Sequence, residues 1–176
     1  MKIKRKSNIA MTIQEYTEAI VPIILLCRKE KVLNPTSYRR SHLWYLYREA
    51  FYGFSEFSDW KAKYRESFKA NEMSKQLRPP VTLLNQTWYD QNNFDTGRLN
   101  GKFHLEHIYT GNMFRDAIDA LSDNELTAKK VVDIIKKNYQ LAWILKVEDR
   151  QLSKKKRGEN ILDALNFYKS KKIDLL

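Results

Sequence analysis

After a polar, basic opening, the chain falls into a helical rhythm of apolar and polar positions at Thr12-Ile13-Gln14-Glu15. That tetrad is a capping box, with the threonine hydroxyl accepting from the third helical amide and the glutamate reaching back. It predicts a helix from about Thr12 to Leu33, with Pro22 as a point of kinking and Asn34-Pro35 as its stop. Ser37 to Tyr52 is apolar all round and is followed by Gly53, suited to a left-handed cap, which predicts a second helix. A third is predicted from Ser55 to about Met73, ahead of the boundary at Pro79-Pro80.

From Val81 to Asn100 the pattern turns polar and irregular, with Asn92-Asn93 and Asp95-Thr96-Gly97 as turn signals, so an extended, loop-rich connection is expected. Lys102 to Tyr109 alternates with period two, as a strand does, and Gly111-Asn112 separates it from an amphipathic helix over Met113 to Leu121. Thr127 caps a further helix through Asn138, Tyr139 to Leu145 reads as a second strand, and a last helix runs from about Asn160 to Ser170. The fold class expected is α+β and mostly helical. A helical region, 1–80, precedes a small strand-helix region, 81–176, whose two strands bracket a helical insertion; at this length both fit within one compact domain.

Charge changes the picture most. Lysine and arginine number 32 against 21 acids, for a formal net charge of +11. Residues 1–80 carry 16 basic and 8 acidic residues, so the N-terminal region is the stronger electrostatic footprint for a polyanion. It also holds the segment Tyr38 to Phe68, where aromatics alternate with Arg39, Arg40, Arg48, Lys61, Lys63 and Arg65. An aromatic helix-helix core is the plainer use of that pattern, with Arg39 and Arg40 at its edge available to phosphates.

The one cysteine, Cys27, excludes an intrachain disulfide and a thiolate metal cluster, and a cytoplasmic setting is the default expectation. No apolar run is long enough to predict a membrane span or a signal peptide.

Candidate chemistry concentrates in Gly101 to Asn112, where His104-Leu105-Glu106-His107 places two of the three histidines on either side of a glutamate. A zinc site needs a third and fourth ligand at recognisable spacing, and nothing nearby supplies them. On a strand, His104 and Glu106 share one face and His107 points to the other. Phosphodiester hydrolysis asks for less: an imidazole base, a few ligands for one divalent ion, and basic side chains for the phosphates.

Leu105-Glu106-His107-Ile108-Tyr109 resembles the first motif of the HNH, or His-Me finger, nucleases, which are built as two strands and a helix around one metal ion. The resemblance implies His107 as general base and Glu106 as metal ligand, with His104 beside them. Gly158 to Asn166 is similar to the later motif of that family, which implies that Asn160 orients the base and that Asp163 or Asn166 completes the metal site. The 53 residues from His107 to Asn160 (160 − 107) require the helices between Met113 and Asn138 to be inserted. The implied activity is a DNA endonuclease, of the kind found in restriction or phage defence, using one Mg2+ and working as a homodimer on palindromic sites. Arg115 and Lys102 are further phosphate-binding candidates, although Arg115 can equally pair with Asp119 one turn on.

Three rivals stand beside this reading. Glu148-Asp149 follows the second strand and suits a hard divalent cation, or else the start of a helix. A metal-free ribonuclease of toxin type would use His104 and His107 as acid and base. A non-catalytic helical protein binding DNA or RNA would need no active site.

Overall fold

The computed structural model describes residues 11–96, 100–152 and 157–176. They form an α+β fold, mostly helical, with one three-stranded sheet. The chain divides into two compact units, and neither is continuous in sequence.

The first unit comprises the described residues up to Ala62 together with Asp116–Lys137. Its principal helix, α1, spans Ile13–Leu33 behind the Thr12 capping box, in which the Thr12 amide donates to Glu15 at 2.7 Å. Pro22 lies within it on the solvent side. Ile13, Thr17, Ile20, Ile24 and Cys27 recur every three to four residues and form its buried stripe. Helix α2, His42–Tyr52, packs against α1, and Tyr16 meets Phe54 edge-to-face at 5.0 Å. Tyr47, Phe51, Phe54 and Phe57 are buried, so most of the aromatic segment is core, whereas Tyr45 and Tyr52 stay half exposed. Arg28 binds Asp123 and the carbonyl of Leu121, and Lys31 pairs with Asp119 at 3.0 Å, which ties the end of α1 to residues 118–123.

Gly53 corrects one expectation. Its φ of −72° is ordinary right-handed backbone. Glycine is needed there for close approach, since a Cβ would run into the Tyr16 hydroxyl, which donates to Ala50 O at 2.8 Å.

The second unit, Lys63–Arg115 with Asn138–Leu176, holds the sheet. A third strand, β1 (Lys63–Glu66), and helix α3 (Phe68–Lys75) replace the single helix expected from Ser55 to Met73. Ser67 divides them: its hydroxyl caps α3 by accepting from Ala70 N. The expected strands are β2 (Phe103–His107) and β3 (Gln140–Leu145). Helices α4 (Gly111–Asp119) and α5 (Ala128–Asn138) come between them in the chain. The sheet order is β1-β3-β2, with β1 parallel and β2 antiparallel to the buried central β3. One helical turn, α6 (Lys146–Asp149), follows β3, and α7 (Ile161–Ser170) closes the unit behind its Asn160 cap.

Candidate metal centre

Strand alternation builds the site. In β2, Phe103 and Leu105 turn inward and are buried, so His104 and Glu106 project together from the other face. Their side chains meet, with His104 Nε2 3.1 Å from Glu106 Oε2. Phe103 pairs with Leu145, so β3 ends where β2 begins, and the Lys146 amide donates to Lys102 O at 2.9 Å. The turn of α6 then carries Asp149 across to the pair. His104, Glu106 and Asp149 each offer one ligand atom, and all three atoms lie within 4.8 Å of one another. Neighbouring ligands of a small divalent ion stand roughly 3 Å apart and opposite ones about 4.2 Å, from metal-oxygen bonds of about 2.1 Å. The three donors are therefore grouped closely enough to be candidates for one shared ion.

Arg157 closes the site from behind. It is 4% exposed, and it donates through one terminal nitrogen to Glu106 Oε1 and through the other to His107 O at 3.0 Å and Tyr168 Oη at 2.9 Å. The two Glu106 oxygens thus have separate partners, Arg157 on Oε1 and His104 on Oε2. Burial pushes the Glu106 carboxyl up, but the His104 hydrogen bond and the charge and hydrogen bond of Arg157 outweigh it, and the net shift is downward. Burial drives the Tyr168 phenol far above its usual range, against the pull of Arg157, so it stays neutral. With His104 neutral, Glu106, Asp149 and Arg157 leave a net charge of −1 to receive a cation.

The other sequence-predicted residues are not members of this cluster. His107 is on the opposite face of β2, where its Nε2 sits 2.9 Å from the hydroxyl of buried Tyr139. Asn160 caps α7, accepting from Leu162 N and Asp163 N and donating to Asp163, which also accepts from Glu159 N. Asp163 is outside the His104, Glu106 and Asp149 cluster, and Asn166 is on the exposed side of α7. Lys102 is exposed, Arg115 is half-buried on α4, and Arg39 and Arg40 lie exposed in the first unit, on a 3-10 turn over Tyr38–Arg40. Glu148 is 1% exposed and accepts from Ser67 at 2.6 Å and from Leu145 N, a core role that leaves Asp149 to the site. Asp95 accepts from the amides of Thr96, Lys102 and Phe103 and from Gln91, anchoring the start of β2.

Arg157 and Tyr168 carry no signal in sequence. Arg157 ends the run Lys154-Lys155-Lys156-Arg157, which reads as a solvated patch; residues 153–156 are outside the described residues. Trp88, whose ring meets the His104 imidazole edge-on at 6.1 Å, sits in a segment that predicts only loop. No protein-family model, curated protein or solved structure matches the chain.

Proposed function

We propose that the protein is a divalent-metal-dependent phosphodiester hydrolase acting on nucleic acid. The observation that carries this reading is the convergence of His104, Glu106 and Asp149 on one point. Two carboxylates favour Mg2+ or Mn2+, and the imidazole inclines the set toward Mn2+. An ion held there would neutralise charge on a phosphoryl oxygen and acidify the attacking water. The ligand set is thus His104, Glu106 and Asp149, with Asp163 and Asn166 given over to the last helix. Arg157 fixes Glu106 so that a single oxygen faces the ion. The formal charge of +11 supports a polyanionic substrate.

A cleavage assay on single-stranded DNA, plasmid DNA and RNA, with Mg2+, Mn2+ or EDTA, tests the proposal. Wild type is expected to cut only with an ion, and His104→Ala and Asp149→Asn are expected to lose at least a hundredfold. Cleavage of RNA in EDTA, abolished by His107→Ala, would instead favour the metal-free ribonuclease that uses His104 and His107 as acid and base.

A further inference from the structure

We infer that the substrate strand is single, held by stacking of an unpaired base on Tyr89, one residue from the Trp88 ring that meets His104; the inference rests on the hydrolase reading for what happens next. Tyr89 is 86% exposed, in the 3-10 helix Trp88–Asn93. Its exposure is not that of a loose loop, because the segment around it is pinned on every side. Thr87 donates through its amide and its hydroxyl to Asp90, at 2.8 and 2.7 Å. The Gln91 amide reaches Phe103 O at 2.8 Å, Phe94 packs edge-on against Phe103 and Trp143, and Trp143 donates to Gln86 O. Phe103, which accepts one of these bonds, immediately precedes His104.

A fold holding that segment so firmly gains almost nothing from Tyr89, which buries little of its ring. Next to it, Trp88 is half-buried and lies against the metal-ligand candidate His104. The geometry therefore offers an outward aromatic ring one residue from an aromatic that touches the site. Aromatic faces beside a cation-binding phosphate site suit a nucleotide chain whose bases are free to stack, and duplex bases, already stacked on one another, cannot use them. The shared chemistry is an unpaired base on a phosphate backbone, found in single-stranded DNA and RNA alike.

Equilibrium binding of a fluorescein-labelled mixed-sequence oligonucleotide in EDTA, with no cleavage, tests the inference apart from catalysis. Oligodeoxynucleotide, oligoribonucleotide, the corresponding duplex and an abasic single strand form the arms, and the two single-stranded arms identify the preferred sugar. Wild type is expected to prefer at least one single strand to the duplex. Tyr89→Ala is expected to weaken that binding by about 5- to 100-fold. Tyr89→Phe should restore it, and duplex and abasic affinities should not change between wild type and variant. Circular dichroism checks that the exposed substitution leaves the fold intact. Tighter binding of duplex, equal single-strand binding by Tyr89→Ala, or no binding in any arm overturns the inference. In each of those cases metal-dependent nicking by wild type would still stand or fall separately.

Discussion

Replacing Arg157 by methionine keeps an unbranched apolar stem and removes the charge and the hydrogen bonds of the guanidinium. The substitution strips Glu106 Oε1 of its ion pair and takes the guanidinium donor away from Tyr168 Oη and His107 O. Breaking one partner out of a buried ion pair costs about 3–5 kcal/mol, because the remaining charge has lost its compensation. Against a total stability of about 5–15 kcal/mol this is a large fraction. At roughly 2–4 °C per kcal/mol for a chain of this size, the Tm is expected to fall by about 6–20 °C.

The pH dependence separates this cause from simple loss of packing. In wild type the folded-state pKa of Glu106 lies below its unfolded value of about 4.3. Its contribution is therefore complete above that value and is lost as pH falls through the lower folded one. Without Arg157, burial acts on Glu106 with only His104 to oppose it, so the folded pKa moves upward and ionised Glu106 becomes a cost. That cost disappears as the carboxyl protonates. The stability gap between wild type and Arg157→Met should be widest near neutrality and should narrow as pH falls through the raised folded pKa of the variant towards the lower one of wild type. Urea denaturation from pH 4 to 8 measures it, and Glu106→Gln supplies a double-mutant cycle in which the double variant is less destabilised than the sum of the singles. A pH-independent gap together with strict additivity would refute the assignment of Arg157 as the counter-ion of Glu106.

Two further outcomes follow from the same structure. Mn2+ at about a hundred times its Kd should stabilise wild type by about 2.7 kcal/mol in a thermal-shift titration, and His104→Ala or Asp149→Asn should remove most of that gain. Gly53→Ala should destabilise by about 1–3 kcal/mol through collision with the Tyr16 hydroxyl, and Tyr16→Phe should recover part of the loss in the double variant; chemical denaturation of the four proteins checks the coupling.

Where a local rule decides the structure, the sequence is legible. The Thr12 capping box sets the start of α1, and the alternation of Lys102 to Tyr109 sets β2 and puts His104 beside Glu106. Strand β1 escapes notice because Lys63-Tyr64-Arg65-Glu66 has only one fully buried position, on a strand that pairs along one side. Its place comes from parallel pairing with β3, a contact across more than 70 residues that no local pattern encodes. Asp149 was legible as an acid after a strand, but not its separation from Glu148. That follows from one helical turn, in which Glu148 points to buried Ser67 and Asp149 points to Glu106. The likeness to a His-Me finger rests on Leu105 to Tyr109 and on Gly158 to Asn166, and the structure places Glu106 and His107 on opposite faces of β2.

The division of Glu106 between its two oxygens links fold and chemistry. Oε1 belongs to Arg157, whose other bonds reach the backbone of β2 and the buried Tyr168 of α7. Oε2 belongs to the face shared with His104 and Asp149. The same guanidinium that secures the unit therefore subtracts one negative charge from the candidate cation site. Losing it would leave Glu106 and Asp149 with a net charge of −2 in place of −1, favouring a divalent ion more strongly while weakening the framework that holds its ligands. Stability and cation affinity should thus move in opposite directions at Arg157 and in parallel at Glu106, where removing the charge removes the counter-ion of Arg157 and a metal donor together. That contrast distinguishes a carboxylate that serves both purposes from one that serves only the fold.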